Sequence, residues 1–590
     1  MKTNKFLVIG ISIMVIMAML LAGCASAKTT ISSTTYSSTY TQTYTTQPNV
    51  TKTITAATTY TQSSTYTGKP NVTVTATTTS GGYSPPSTST IGLATGGAKD
   101  VTSFRDNIFN NYLPLPTDVT YEGLFYDYYF DTGTEGETST KLFYPSYSYA
   151  VTRDPISQQT DYYLSVGLNS GLREEDFQRK PLNLVIVLDI SGSMGESFNR
   201  YYYDANGNQI DAYADEGVNR PTKMDSATEA VVAILNQLNA DDNFAIVLFN
   251  QNAQLVKPMG RVSQTNMNDI KNRVLDLNAG GSTNLDAGMD VATDQFRKVN
   301  TNDYKYENRV IVCTDAQPNT GDISSGGLAY NVTRNAENRI YTSFVGIGLD
   351  FNSQLIELMT KTKGANYYVV HSPKEFRTRM NEEFDYMVTP LIFNVRLNFA
   401  SQGWRIDQVF GSPEADASTG SLMTINTLFP SKSEGGENKG GLVLLKLRKI
   451  TSQPDEKIYL KVTYEDRYGR LDGSESAVYL EGTSPEYFGN SGIRKGILLS
   501  RYAALLKNWM IDEREHLQQS AWNPCIDERT GISIPSETTG QWERTSLPLT
   551  VSYPYKQLFS KFKAYFSNEM YAIGDQTLSQ EWTILDRLSR

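Results

Sequence analysis

Apolar positions in this chain follow three patterns that change along its length. Leu184-Val185-Ile186-Val187-Leu188 and Arg309-Val310-Ile311-Val312-Cys313 are continuous aliphatic runs, each ending in turn residues and a carboxylate. Such runs predict strands buried on both faces of a parallel sheet. Phe244 to Phe249, Ile340 to Gly346 and Tyr367 to Val370 read as further strands, and helical spacing marks 285–298, 352–362 and 373–387. Ser226 and Glu229 read as a capping box opening another helix, followed by Ala230, Ile234 and Leu238. Alternation of strands and helices predicts an α/β fold with a doubly wound, mostly parallel sheet. A period-two pattern flanks it on both sides. Upstream it is carried by Tyr162, Leu164, Val166 and Leu168, and downstream by Phe393, Val395, Leu397 and Phe399 and by Ile458, Leu460, Val462 and Tyr464. One wet face and one buried face are expected there, in a β-sandwich-like flank into which the α/β part is inserted.

The first residues have a different character. Lys2 and Lys5 precede the apolar run from Phe6 to Leu21, which ends in Leu21-Ala22-Gly23-Cys24. This order is that of an export signal, and its tail resembles the bacterial lipobox, which implies lipidation of Cys24 and an extracytoplasmic location on a bacterial membrane. From Lys28 to about Gly97 the composition collapses to Thr, Ser and Tyr, with Pro48-Asn49-Val50-Thr51 repeated as Pro70-Asn71-Val72-Thr73. With few large aliphatics to bury, the stretch is expected to be a disordered tether, in preference to Thr-rich strands of a small domain. The expected organisation is a signal peptide (1–23), tether (24–98), strand-bearing flank (99–180), α/β domain (181–390), sandwich-like domain (391–485) and a helical or mixed region (486–590).

Composition narrows the chemistry. The 590 residues carry 53 Lys and Arg against 63 Asp and Glu, a net charge of −10, which argues against a nucleic-acid backbone as partner. Three cysteines cannot form a disulfide framework, and two histidines exclude a His-rich metal site. Cys313 lies in a strand expected to be buried and inert, while His371, His516 and Cys525 stand in no recognisable motif.

At the carboxyl end of the first aliphatic run stand Asp189, Ser191 and Ser193; Gly280-Gly281-Ser282-Thr283 and the Asp315 turn follow. In open α/β sheets ligand sites form outside these strand ends. Three hydroxyls and two carboxylates are hard oxygen donors suited to Mg²⁺, Mn²⁺ or Ca²⁺, and unsuited to Zn²⁺ or copper. The pattern resembles the von Willebrand factor type A (VWA) family, whose metal-ion-dependent adhesion site reads Asp-x-Ser-x-Ser, then Thr, then Asp. The matching residues are Asp189, Ser191, Ser193, Thr283 and Asp315. The resemblance implies that the hydroxyls bind the ion directly, with Mg²⁺ foremost, and that the aspartates act largely through water. One coordination position is left for an acidic residue of a partner protein. Ala316 departs from the Gly frequent in relatives and is expected to alter only the loop's shape. The segment from Phe104 to Tyr128 resembles the amino-terminal part of certain bacterial VWA lipoproteins with β-rich flanks. Residues 195–222 exceed a normal loop, and Asn206-Gly207 predicts a hairpin at the rim of the metal face, placed to help choose the partner. No nucleophile–base pair is apparent, so a non-enzymatic binding module is expected. The alternatives are an assembly or chelatase-type factor working with a separate ATPase, and a metal used only structurally.

Overall fold

A computed structural model describes residues 34–47, 50–62, 90–133, 139–199, 201, 221–370, 372–414, 420–451, 457–480, 485–521 and 546–590. Cys24, His371, Cys525 and most of the expected hairpin within 195–222 lie outside the described residues. The chain divides into two compact units, Met1–Ser87 and Thr88–Arg590.

In the first unit, Thr34–Gln47 and Val50–Gln62 pair as antiparallel strands, with Tyr36 opposite Tyr60 and Thr41 opposite Thr55. Over these residues the expectation of a disordered tether gives way to strands. Scarcity of aliphatics was the reason for expecting disorder, but Thr and Tyr are themselves strand formers. The tether's far end is corrected as well. Thr90–Thr95 is a strand of the second unit, with Ile91 and Leu93 buried, and Gly97–Ala98 pairs with Asn366 and Tyr367. Alternation in Ile91-Gly92-Leu93 was masked by the Thr/Ser-rich composition around it.

The α/β part of the second unit is built from β1 (Gly97–Ala98), β2 (Leu182–Asp189), α1 (Lys223–Asn236), β3 (Asn243–Phe249), β4 (Ala253–Arg261), α2 (Met267–Leu275), α3 (Leu285–Gln295), β5 (Glu307–Thr314), α4 (Ser325–Glu337), β6 (Ile340–Ile347), α5 (Ser353–Thr360), β7 (Asn366–Val370) and α6 (Pro373–Met387). The sheet order is β4-β3-β2-β5-β6-β7-β1, parallel throughout except for the β4–β3 hairpin. Strand β2 shows why the sequence reads as it does. Leu184, Ile186 and Leu188 face α1 and α6 in one apolar core, while Val185 and Val187 face α3 and α4 in another. A strand covered on both faces favours apolar residues on both, and here they run unbroken from Leu184 to Leu188.

Strands from both sides of this domain share one ten-stranded antiparallel sheet. Thr160–Arg173 pairs with Leu442–Lys449 and with Tyr144–Arg153, and Thr90–Thr95 joins it to Leu422–Ser431, followed by Ile392–Ala400, Lys457–Asp466 and Leu471–Tyr479. Its inner residues (Leu164, Val166, Leu168, Val395, Leu397, Ile425, Leu445 and Val462) form a single core. The α/β domain is thus inserted into a strand-rich flank, as the two period-two patterns predict. Helices Ser491–Ala521, Tyr553–Ile573 and Ser579–Leu588 complete the unit. Buried Glu581 of the last helix pairs with buried Arg105, tying the end of the chain to the segment before the sheet.

Helix α1 begins earlier than expected. Its N-cap is Thr222, whose hydroxyl accepts the Asp225 N–H, while the Asp225 carboxylate accepts the Thr222 N–H. The capping box is therefore Thr222 and Asp225, not Ser226 and Glu229; Ser226 is fully buried one turn inside. Asp at the third position caps as Glu does, a substitution the Ser-x-x-Glu template does not register.

Candidate metal centre

Strands β2 and β5 are neighbours in register, with Leu188 opposite Cys313. Asp189 therefore emerges beside Thr314, and Asp315 follows one residue further on. The Thr314 hydroxyl donates to Asp189 Oδ2 at 2.6 Å, and the Ser191 N–H donates to Asp189 Oδ1 at 2.9 Å. The Ser191 and Ser193 hydroxyl oxygens are 3.2 Å apart. Two backbone bonds lace the loop after β2 to the loop before α3: Gly192 N–H to Gly281 O and Gly280 N–H to Ile190 O, both at 2.8 Å. Asn319 joins the third loop to these, its side-chain oxygen accepting the Thr283 N–H at 2.9 Å and its own N–H donating to Thr283 O at 3.0 Å. Direct side-chain interactions bring together Asp189, Ser191, Ser193 and Asp315, and Thr283 is brought to the same strand ends through its loop's backbone bonds.

All five side chains are buried, while Gly195, Gly280 and Gly281 of the same loops are exposed. Gly281 adopts φ +90°, and a Cβ there would fall 1.9 Å from Gln251 Oε1, so this turn requires glycine. Ala316 has φ +57° and is fully buried. The alanine thus keeps the left-handed conformation for which glycine is the usual residue, with its N–H bonded to the Thr314 hydroxyl at 2.9 Å. Holding a non-glycine residue there costs of order 1 kcal/mol in backbone strain.

Electrostatics set this site apart. Burial, and then the carboxylate of Asp315, push Asp189 up to about 7. Burial also raises Asp315, against the pull of Lys223. Lys223 is the residue that sequence reasoning missed. Its ammonium lies 3.1 Å from Asp315 Oδ2 and 2.6 Å from Asp350 Oδ1, with all three side chains at most 1% exposed. Burial works against its charge, but Asp350 and then Asp315 outweigh this and hold its pKa above the usual value. The misplaced capping box hid it: a helix starting at Ser226 leaves Lys223 in a loop, whereas capping at Thr222 makes it the first helical residue. Asp350 follows Gly348 in the turn after β6, and no spacing rule singles it out.

Asp315 Oδ1 is buried and accepts no hydrogen bond. Adjacent hydroxyls, two converging carboxylates and an unbonded carboxylate oxygen form a hard-donor set that fits a divalent cation. Cys313, one residue before this turn, is buried and apolar in surroundings, its thiol pushed up to about 12, so it is no ligand. Among the described residues no three His, Cys, Asp or Glu side chains cluster as a metal-binding group, so a cation here would depend on the hydroxyls.

Residues 184–317 match the family model described as von Willebrand factor type A domain. The chain contains a VWA domain. Among curated proteins it is similar to human inter-alpha-trypsin inhibitor heavy chain H2, 23% identical over 223 residues, covering 37% of this chain and 21% of that protein. It is likewise similar to bovine inter-alpha-trypsin inhibitor heavy chain H4, 24% identical over 226 residues, covering 38% of this chain and 22% of that protein. The match spans about a fifth of the length of these relatives. Among solved structures, von Willebrand factor type A from Catenulispora acidiphila aligns with a TM-score of 0.39 at 13% identity, covering 70% of this chain and 99% of that one. A VWA domain points to protein–protein interaction or adhesion.

Proposed function

We propose that this protein is a non-enzymatic adhesion module that grips an acidic residue of a partner protein through a divalent cation, Mg²⁺ foremost. Asp189, Ser191, Ser193, Thr283 and Asp315 would hold the ion. The reading is carried by one observation: the in-register pairing of β2 and β5 sets two buried carboxylates and two hydroxyls against each other at the strand ends. Two buried carboxylates side by side are costly unless a proton or a cation compensates them. A bound divalent ion would supply that compensation and, held largely by neutral hydroxyls, would retain attraction for an outside carboxylate. Exposed Gly195, Gly280 and Gly281 in the loops that carry Ser193 and Thr283 would favour such access, since they add no side chains there.

Tethering belongs to the same proposal. A lipid on Cys24 would hold the module at a bacterial membrane outside the cytoplasm, with the Ser/Thr/Tyr-rich segment as its tether. Among the described residues no helix is long and apolar enough to cross a membrane.

The test is capture of envelope proteins with and without chelator, alongside calorimetric titration with Mg²⁺. Partners lost with the ion, and lost again in Asp189→Ala and Thr283→Ala while both variants keep the wild-type fold by circular dichroism, support the reading. Capture unaffected by chelator and by both substitutions refutes it. Unchanged partners with a chelator-lowered melting temperature assign the ion a structural role only.

A further inference from the structure

Lys223 stands where two rules disfavour it. It is the first residue of α1, where the helix dipole repels a cation, and it is fully buried. Such an ammonium persists only when carboxylates face it closely. Here there are two: Asp315 Oδ2 at 3.1 Å, and Asp350 with its oxygens at 2.6 and 2.7 Å. The backbone makes room for the arrangement. Gly348 has φ +94°, and a Cβ on it would lie 2.8 Å from Lys223 Cε and 3.0 Å from Asp350 Oδ1. Gln317 Nε2 donates to the Asp350 carbonyl at 3.1 Å, and the Asn352 N–H donates to the Asp315 carbonyl at 3.0 Å. Lysine, Asp350 and Asp315 are therefore fixed relative to one another by several elements. Asp315 is divided between two tasks: Oδ2 takes the ammonium, while Oδ1 accepts no hydrogen bond.

Charge counting gives the consequence. Asp189, Asp315 and Asp350 contribute three negative charges when ionised, and Lys223 returns one positive charge. The ammonium beyond Asp315 penalises each added charge on an ion in the site. Without the lysine the balance moves by one unit toward the trivalent ion.

We infer that Lys223 is the charge-setting residue of the cation site. Together with Asp350 it orients Asp315 and makes the site prefer a divalent over a trivalent cation. This inference rests on the metal reading proposed above. Across a carboxylate, roughly 6 Å from the ion, a unit charge in a medium of effective dielectric ~20–40 changes affinity about tenfold or more per ionic charge.

The test uses Ca²⁺ and Tb³⁺, ions of nearly equal size and different charge, titrated into the full chain by calorimetry and by Tb³⁺ luminescence. Wild type is expected to bind Ca²⁺ and Asp189→Ala to lose it. Lys223→Met should shift the Tb³⁺-over-Ca²⁺ preference about tenfold toward Tb³⁺. Asp350→Asn should weaken both ions, Tb³⁺ more. The double variant Lys223→Met with Asp350→Asn, which removes one charge of each sign, should recover most of the affinity lost in Asp350→Asn. If Lys223→Met alone fails to fold, because two buried carboxylates then face each other, Asp350→Asn and the double variant still decide. If wild type binds neither ion, the metal reading fails and this inference with it. If wild type binds, Asp189→Ala does not, and Asp350→Asn and the double variant keep wild-type affinity and preference, the metal reading stands and the charge-setting role is overturned.

Discussion

Thr314 is a sharp place to test the site's construction, because a single hydroxyl serves two buried groups. It donates to Asp189 Oδ2 at 2.6 Å and accepts from the Ala316 N–H at 2.9 Å, and Thr314, Asp189 and Ala316 are each at most 1% exposed. Thr314→Val keeps the shape of the side chain and removes both bonds. The carboxyl loses the Thr314 donor, and the Ala316 N–H is left in a dry site beside a left-handed turn. Each buried group so stranded costs about 1–2 kcal/mol, so the variant should lose about 2–4 kcal/mol of stability. Residues that orient a ligand without touching the ion usually matter by 10–100-fold in affinity, and a loss of about tenfold in Mg²⁺ binding is expected here. Thr314→Ser supplies the control, since it keeps the hydroxyl and loses only a methyl group. Chemical unfolding followed by near-ultraviolet circular dichroism reads the stability, and calorimetric titration reads the ion. Equal losses in Val and Ser variants would show that packing, not the two hydrogen bonds, is at stake, and the reasoning would fail.

Two further outcomes are expected. Glu581 is fully buried and pairs with Arg105, which also holds Asp127 at 2.9 Å, and Glu581 accepts the Tyr128 hydroxyl at 2.8 Å. Glu581→Gln should destabilise by about 3 kcal/mol, as breaking a buried pair does, and should open the last helix to limited proteolysis before the VWA domain; simultaneous cleavage of both would argue against a local clamp. The second concerns pH. Without an ion, Asp189 is held up to about 7 by burial and by Asp315, above the ordinary carboxylate value it has when unfolded. The folded state then binds this proton more tightly, so the group's contribution is complete below about pH 4 and is lost as pH rises through about 7. In chelator, wild type should lose stability relative to Asp189→Asn across that window, and saturating Mg²⁺ should remove the slope; a difference that is flat or rises with pH in chelator would contradict this.

Much of this protein is written locally. Buried strands announce themselves as aliphatic runs, because a strand covered on both faces offers few positions to a polar residue, and the aliphatic stretches of β2 and β5 were legible for that reason. The strand-rich flank was legible from period two, and the insertion followed because matching patterns stood on both sides of the VWA domain. The positions of Asp189, Ser191, Ser193, Thr283 and Asp315 were readable because each belongs to a turn that ends a strand or opens a helix. Composition was the weaker guide: it treated Thr90–Thr95 as tether, although Ile91 and Leu93 are buried in the flank sheet.

What no local pattern carried was pairing across distance. Lys223, Asp315 and Asp350 are far apart along the chain and meet only because α1 starts beside β5 and the turn after β6 folds over both. The same holds for Arg105 with Glu581, and for the Thr314 hydroxyl, whose neighbour Asp189 is chosen by strand register. Burial and periodicity are properties of a segment and its solvent, so the sequence determines them by itself. Charge compensation in a buried site depends on which segments the topology makes neighbours, and that was decided by the tertiary structure alone.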